Sequence, residues 1–283
     1  MIYRELYEKG RAGLTAAGIE EAALDARLLL EHVCHTNRND LLVHGERPVD
    51  EAQVQQYLAC IERRRQRIPL QHITGEQVFM GLEFTVNEHV LIPRQDTEIL
   101  VEEVLKELHD GMRVLDMCTG SGCILISLMH YSNGCQGVGA DISEAALDVA
   151  RENAGRLLGA GKTTDAAAFV HSDLFENISG KFDVIVSNPP YIRSDVIPTL
   201  QPEVKDHEPL QALDGTVNGL YFYEKIVSES RAYLVRGGRL YFEIGHDQGE
   251  EVSALMRNAG FLEIAVVKDY AGLDRVVYGT YIG

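Results

Sequence analysis

The chain has 283 residues, of which 45% are hydrophobic and 24% charged, a composition typical of a soluble globular protein with one large or two ordinary domains. Its formal net charge of −17 argues against a protein that grips DNA along its phosphates. No apolar run approaches the ~18 residues of a membrane span, and the polar start predicts no signal peptide. Five cysteines without a CxxC pair favour reduced thiols in the cytoplasm.

The amino-terminal part of the sequence predicts a small helical domain over residues 1–74. Apolar residues recur at helical spacing over residues 20–35, and a second helix is predicted over residues 50–67. Asp50 is the expected N-cap of this second helix, and Pro69 ends it. No strand pattern occurs in this part of the chain.

A basic run, residues 63–67, ends the second of these helices. One interpretation is a solvated helix end whose positive charges complement the helix dipole. The other interpretation is a contact surface for an acidic or RNA-rich partner. The sequence alone leaves both open.

The hydrophobic period changes over residues 75–92, where apolar residues on either side of Gly81 predict a β-hairpin that links two domains. An amphipathic helix is predicted next, with Asp96 as its N-cap. Arg94, just before this helix, is equally compatible with a surface ion pair and with a contact to a substrate.

The rest of the chain, residues 93–283, predicts an α/β domain because strands and helices alternate from residue 113 onward. The last two of seven strands have no helix between them, so the final strand must run antiparallel to its neighbour. The predicted strands cover residues 113–117, 136–141, 167–173, 182–187, 238–245, 261–268 and 275–282.

A tight loop follows the first strand of this sheet and consists of Cys118, Thr119, Gly120, Ser121 and Gly122. Its glycines let the backbone approach a ligand closely, and the helix that follows directs N–H groups and a partial positive charge toward it. The third glycine of a dinucleotide fingerprint and the Gly-Lys-Ser/Thr of a P-loop are both absent. The loop is therefore glycine-rich without the pattern of a phosphate cradle.

Two aspartates end the next strands. Asp141 can accept from both hydroxyls of a ribose, and Asp173 can accept from an adenine amino group or cap a turn. Taken singly, each aspartate is more typical of a cap or a turn. Together they lie at the carboxyl ends of consecutive strands, where open α/β sheets bind ligands. A ribose, an adenine and an amino-acid carboxylate without phosphates describe S-adenosylmethionine.

The motif Asn188-Pro189-Pro190-Tyr191 follows the fourth strand of the predicted sheet. Each proline fixes its own φ and favours an extended residue before it, so Asn188 has little backbone freedom. The Asn188 side-chain oxygen and the Pro189 carbonyl can accept both hydrogens of a planar –NH2 group, beside the flat face of Tyr191. Taken alone, the motif is also compatible with a simple turn after a strand.

The chain is identified as a member of the class I S-adenosylmethionine-dependent methyltransferases, and it resembles the release-factor glutamine N5-methyltransferases, the PrmC/HemK family. The similar motifs span nearly the full length, which makes them far more specific than Asn-Pro-Pro-Tyr alone. They occupy residues 69–75, 91–98, 116–122, 141–143, 172–175, 188–191, 208–213, 219–220, 242–245, 268–269 and 274–277.

The resemblance implies a Rossmann-like sheet and transfer of a methyl group to the side-chain N5 of the glutamine in the Gly-Gly-Gln motif of class I peptide-chain release factors. It implies that the helical domain docks the release factor, and no metal is expected. Two related activities compete: glutamine methylation of a ribosomal protein, and adenine-N6 methylation of DNA. The net charge and the lack of a recognisable target-recognition domain disfavour direct DNA binding. A non-catalytic S-adenosylmethionine sensor would not need Asn-Pro-Pro-Tyr.

Residues implied in catalysis by this resemblance are those of the motif Asn188, Pro189, Pro190 and Tyr191. Residues implied in cofactor binding are Cys118, Thr119, Gly120, Ser121, Gly122, Asp141, Asp173 and Asn188. The sequence departs from the family at two positions. Cys118 stands where a glycine is usual, and Leu174 stands where many members carry an aromatic residue.

Overall fold

The computed structural model describes residues 1–159 and 166–283. The described chain forms two compact units. The first unit comprises Met1–Glu76 together with Gln201–His207, and the second comprises Gln77–Leu200 and Glu208–Gly283. The hairpin thus groups with the second unit and residues 201–207 with the first, whereas the sequence predicts a separate linker and one continuous domain after it.

The first unit is helical, and its core combines leucines of the first two helices with aliphatic and tyrosine side chains of the other segments. Its helices are α1 (Tyr3–Ala16), α2 (Ala22–Cys34), α3 (Arg38–Val43), α4 (Glu51–Arg65) and α5 (Leu70–Thr74), with one further turn at Pro202–Lys205. Gly10 lets α1 approach α4, because a Cβ at Gly10 would lie 1.9 Å from the Tyr57 hydroxyl. The helices expected over residues 20–35 and 50–67 are confirmed. Asp50 occupies the N-cap position, although its side chain makes no capping hydrogen bond.

The basic run at the end of α4 does not consist only of solvated side chains. Arg64 is buried, and its Nε and Nη1 lie 2.7 Å from Asp25 and 2.9 Å from Glu203. Arg67 also binds Glu203, at 3.2 Å, and donates to the carbonyl oxygens of Ala17 and Gly18. Both arginines therefore hold residues 201–207 within the first unit, an arrangement that neither interpretation of the basic run anticipates.

The second unit is built on a seven-stranded sheet with the order β5-β4-β3-β6-β7-β9-β8. Strands β3 to β7 run parallel to one another, and β9 runs antiparallel to both β7 and β8, as the sequence predicts. A separate hairpin consists of β1 (Glu76–Phe79) and β2 (Leu82–Thr85). The sheet strands are β3 (Arg113–Met117), β4 (Gln136–Asp141), β5 (Ala167–His171), β6 (Phe182–Ser187), β7 (Leu234–Glu243), β8 (Leu262–Lys268) and β9 (Asp274–Thr280).

Both faces of this sheet are covered, which explains why its central strands are continuously apolar. Alternate residues of β6 show this clearly: Val184 and Val186 join one hydrophobic core, and Ile185 joins the other. The covering helices are α6 (Gln95–Leu105), α7 (Cys123–Tyr131), α8 (Glu144–Leu157), α9 (Tyr221–Ser230) and α10 (Gly249–Asn258). Within residues 1–159 and 166–283, no helix combines the length and the hydrophobicity needed to cross a bilayer.

Helix α6 begins two residues earlier than predicted. Arg94 has the extended backbone of an N-cap (φ −99°, ψ 145°), so the assignment of Asp96 as the N-cap is wrong. Asp96 lies in the first helical turn, where its negative charge complements the dipole, and its carboxylate is 3.1 Å from Arg275.

Candidate functional site

The parallel register brings the carboxyl ends of the central strands to one edge of the sheet. Met117 of β3 pairs with Ala140 of β4 and with Ser187 of β6. Ser187 pairs in turn with Phe242 of β7. The strands therefore end at the same level, which places the glycine-rich loop, Asp141, Asn188 and Glu243 at one edge.

A cavity of ≈ 680 Å³ lies at this edge of the second unit. Three of the predicted site residues, Gly122, Pro189 and Tyr191, do not line it, although Pro189 and Tyr191 adjoin residues that do. The predicted residues that do line it are Cys118, Thr119, Gly120, Ser121, Asp141, Asp173, Asn188 and Pro190. Among the described residues, no group of three or more His, Cys, Asp or Glu side chains is arranged to hold a metal ion.

The loop between β3 and α7 is held by its own backbone and by Asp141. Thr119 N donates to Ala140 O at 3.0 Å, and Gly122 N donates to Thr119 O at 2.9 Å. Gly120 N donates to Asp141 Oδ2 at 2.9 Å, so this N–H is directed at a protein carboxylate rather than at the cavity. Cys118 adopts a left-handed backbone conformation with φ 63°, which glycine adopts at lower cost than a residue with a Cβ.

Replacement of Cys118 tests how much this conformation costs. Cys118→Gly should give a protein that is more stable than Cys118→Ala by about 1 kcal/mol, because a Cβ in the left-handed region costs roughly 1–2 kcal/mol and part of this is offset by the greater entropy of unfolded glycine. Both variants remove the thiol, so they differ only in the Cβ. The measurement is urea unfolding of each variant, and equal midpoints and slopes would show that the loop carries no such strain.

Two aspartates support the loop. Asp116 is fully buried, and this burial raises its pKa to about 7 against the hydrogen bonds from Thr119 Oγ1 and Leu125 N. Burial also raises the pKa of Asp141, which accepts from Ser143 N (2.9 Å) through Oδ1. Backbone N–H groups of Gly120, Ser143 and Ile142 act on this carboxylate, which has about four lone-pair sites in all. Asp141 can therefore still bind hydroxyl groups in the cavity.

Asp173 lies two residues beyond the end of β5 and is exposed at the wall of the cavity. Leu174 beside it has φ 45°, a left-handed conformation that is rare for leucine. Ser172 stabilises this turn because its hydroxyl donates to Leu174 O (2.7 Å) and accepts from Asn177 N (3.0 Å). Both positions that depart from the family pattern thus have positive φ and line the same cavity.

Asn188 directly follows β6, and the nitrogen of its side-chain amide is held by a hydrogen bond. Its Nδ2 donates to Thr97 Oγ1 at 3.4 Å. Its Oδ1 has no hydrogen-bond partner within the part of the chain that the structure describes. Asn188 is half-buried and lines the cavity, so Oδ1 is an available acceptor at the cavity wall.

Tyr191 is anchored away from the cavity by polar contacts. Its hydroxyl donates to Glu243 Oε1 at 3.2 Å, and its carbonyl oxygen accepts from Gln248 Nε2, also at 3.2 Å. Burial raises the pKa of Tyr191, and the neighbouring Glu243 raises it further. The backbone of Gly215 packs on Tyr191 so closely that a Cβ there would lie 2.6 Å from Tyr191 Cα.

Arg94 lines the cavity and is also paired. Its Nη2 lies 2.5 Å from Oε1 of Glu208, whose side chain is almost completely buried. Burial raises the pKa of Glu208, and the positive charge of Arg94 opposes this effect. The sequence was compatible with an ion pair or a substrate contact at Arg94. The structure shows the ion pair, and because Arg94 also lies at the cavity wall, a substrate can still contact it.

Sequence reasoning missed four residues that hold the Asn-Pro-Pro-Tyr segment in place: Thr97, Gly215, Glu243 and Gln248. Thr97 and Glu243 lie within motifs that supported the family resemblance, residues 91–98 and 242–245, yet no role was assigned to either. Gly215 and Gln248 lie outside those motifs. The contacts of all four residues join segments that are far apart in the chain. The only signal in the sequence was that Thr97 and Glu243 lie within family motifs.

Comparisons with known proteins agree with this arrangement. The family profile described as "PrmC N-terminal domain" matches residues 5–75, and "Methyltransferase small domain" matches residues 94–200. The chain is 40% identical over 273 residues to a release factor glutamine methyltransferase of Agrobacterium fabrum, covering 94% of this chain and 93% of that protein. A protein of the same name from Clostridium botulinum is 39% identical, with 98% of each chain covered.

The fold is also found among solved structures. The crystal structure of a methyltransferase from Pyrococcus furiosus superposes with a TM-score of 0.55, covering 78% of this chain and 100% of that one. The two sequences are only 16% identical, so this likeness concerns the fold alone.

Proposed function

Since the chain belongs to the family of the release factor glutamine methyltransferases, we propose that it methylates the side-chain N5 of the glutamine in the Gly-Gly-Gln motif of class I peptide-chain release factors. The methyl donor in this proposal is S-adenosylmethionine. The names of its relatives support the reaction and the substrate. The observation in this chain that carries the proposal is the available Oδ1 of Asn188 at the wall of the cavity.

An amide pocket at Asn188 fits a glutamine side chain. A carboxamide –NH2 has two hydrogens to donate, and Asn188 Oδ1 with the Pro189 carbonyl supplies two acceptors on adjacent residues. Pro189 and Pro190 restrict the backbone of residues 188–190, so both acceptors are held in place before a substrate binds. A hydroxyl substrate would satisfy only one of the two acceptors.

The cavity also fits a nucleoside ligand without phosphates. Asp141 is positioned to accept from ribose hydroxyls, while Leu174 offers an apolar contact for a base. Arg94, one basic side chain at the cavity wall, is already paired with Glu208. When bound, S-adenosylmethionine supplies an electrophilic methyl group on a sulfonium.

The residues of this chain contribute mainly alignment and charge stabilisation. The amide nitrogen of glutamine is a poor nucleophile because its lone pair is delocalised into the carbonyl group. Hydrogen bonds to Asn188 Oδ1 and the Pro189 carbonyl fix this nitrogen and stabilise the positive charge that develops on it. Correct positioning for in-line transfer can supply an effective molarity of about 10⁵ M or more. The surplus amide proton is lost to water after transfer.

We assign the remaining roles within the same proposal. The helical unit docks the release factor, and the residues that bind the cofactor are those of the loop 118–122 with Asp141 and Asp173. All five cysteines lie in the described part of the chain as free thiols, four of them buried, which supports action in the reducing cytoplasm. The formal net charge of −17 disfavours direct binding to DNA.

Methyl transfer from radiolabelled S-adenosylmethionine to three purified acceptors tests the proposal. We expect labelling of a class I release factor and none of the same release factor with its Gly-Gly-Gln glutamine changed to alanine. Ribosomal protein and duplex DNA serve as the competing acceptors. Labelling of the ribosomal protein in place of the release factor would establish the alternative glutamine methyltransferase activity, and labelling of DNA would refute both.

A further inference from the structure

Three sequence motifs without an assigned role converge behind Asn188. Thr97 comes from the segment 91–98, Glu243 from the segment 242–245, and Arg275 from the segment 274–277. Thr97 and Glu243 are each only 2% exposed. Thr97 lies at the cavity wall, and Glu243 lies behind it. Their contacts run from the buried interior toward the amide of Asn188.

The amide of Asn188 has two possible orientations that differ in chemistry. With Oδ1 toward the cavity it accepts hydrogens from a substrate amide, whereas with Nδ2 toward the cavity it would face the substrate –NH2 donor to donor. The hydrogen bond from Nδ2 to Thr97 Oγ1 (3.4 Å) corresponds to the first orientation. That bond requires the Thr97 oxygen to act as an acceptor.

Glu243 lies beside the Thr97 hydroxyl and can accept its hydrogen. Burial raises the pKa of Glu243, opposed first by the Thr97 hydroxyl and then by the charge of Arg275. Oε2 of Glu243 is buried and has no hydrogen-bond partner among the described residues, so it is the acceptor open to that hydroxyl. A hydroxyl has one hydrogen, so once Thr97 donates toward Glu243 only its lone pairs remain for Asn188. Tyr191 also donates to Glu243, through Oε1 at 3.2 Å. One buried carboxyl group thus faces the hydroxyls on both sides of the amide pocket.

Arg275 is held beside Glu243 by the turn between β8 and β9. Its Nη2 lies 3.1 Å from both Asp96 and Asp269, and its Nη1 donates to Ile244 O. Asp269 in turn accepts from the backbone N–H groups of Ala271 and Leu273. The positive charge of Arg275 therefore lies behind the carboxyl group that Thr97 and Tyr191 face.

We infer that Thr97 is a positioning residue for the methyl transfer, which, together with Glu243 behind it, holds the Asn188 amide in the orientation that presents Oδ1 to the substrate. This inference rests on the proposed function for its kinetic consequence, but the orientation of Asn188 is a property of the protein alone. Because Glu243 takes the hydrogen of the Thr97 hydroxyl, the Thr97 oxygen accepts from Asn188 Nδ2. The other end of the amide, Oδ1, is then the acceptor at the cavity wall. The pocket is thereby selective for a substrate that donates two hydrogens.

Thr97→Val removes the hydroxyl and nearly keeps the shape of the side chain. Nδ2 of Asn188 then loses its acceptor, Thr97 Oγ1. The side-chain amide should therefore rotate so that Nδ2 faces the solvent in the cavity. We expect kcat/KM for the release factor to fall by about tenfold or more, the effect of one lost hydrogen bond at a buried donor. Affinity for S-adenosylhomocysteine should stay unchanged, and Thr97→Ser should restore activity to near the wild-type value.

The control is Thr280→Val, which removes a buried threonine hydroxyl that also donates to a glutamate, Glu263, but lies outside the cavity wall. It should leave kcat/KM unchanged. Should Thr97→Val not fold, Thr97→Ala compared with Thr97→Ser isolates the same oxygen atom.

A second measurement is independent of activity. The two side-chain Nδ2 protons of Asn188, assigned in ¹⁵N–¹H spectra by their loss in Asn188→Ala, should shift in Thr97→Val and keep their positions in Thr97→Ser. Unchanged Asn188 signals with kcat/KM within twofold of the wild type would overturn the inference. A wild-type enzyme that labels no release factor would instead refute the proposed function, and the spectra would still decide the orientation of Asn188.

Discussion

Asn188→Ala should reduce methyl transfer to the release factor by about 10²–10³-fold, close to loss of detectable activity. The variant removes Oδ1, the acceptor that fixes the substrate nitrogen and stabilises the charge developing on it, and loss of one such preorganised group has an effect of this size. Steady-state kinetics with purified release factor measure the change. Affinity for S-adenosylhomocysteine, measured by calorimetry, should change far less, since other residues supply most of the cavity wall.

A matched control distinguishes the chemistry from a general effect of losing an asparagine. Asn258 is the last residue of α10, is exposed, and lies away from the cavity wall. Asn258→Ala should therefore retain wild-type turnover and cofactor affinity. Near-wild-type turnover of Asn188→Ala would contradict the role that we assign to its side-chain oxygen.

Arg64→Ala should destabilise the helical unit by about 3–5 kcal/mol. Arg64 holds two carboxylates, Asp25 at 2.7 Å and Glu203 at 2.9 Å, and the exposed fractions of the three side chains are only 10%, 8% and 14%. Removal of one partner from a buried ion pair leaves an uncompensated charge, which costs far more than the pair itself contributes. Urea unfolding of the full chain, followed by signals from the first unit, measures the shift.

Arg65→Ala is the matched control, one residue away on the same helix. Arg65 pairs with Glu62 at 2.8 Å, but 48% and 55% of these two side chains are exposed. Exposed pairs contribute about 0–1 kcal/mol, so this variant should unfold within about 1 kcal/mol of the wild type. Equal destabilisation by both substitutions would show that the Arg64 network does not hold the unit together.

The sequence by itself determined the order and type of most elements of the second unit. The strands β4 (Gln136–Asp141) and β6 (Phe182–Ser187) have the predicted bounds. For β6 the reason is local, since an apolar, β-branched run lies between Gly180 and the Asn-Pro-Pro segment. Strand alternation also fixed which ends of the strands face the ligand. The positions of the glycine-rich loop, Asp141 and Asn188 at one edge follow from parallel topology, which helices between strands enforce.

Only the tertiary structure decided how these groups are held. Whether Arg64 is solvated or buried depends on Glu203, which is 139 positions away in the sequence. The orientation that we infer for Asn188 depends on Thr97, which is 91 positions away in the sequence. Periodicity reports burial and backbone conformation within a few residues, whereas an ion pair or an oriented hydroxyl requires partners that only the folded chain brings together.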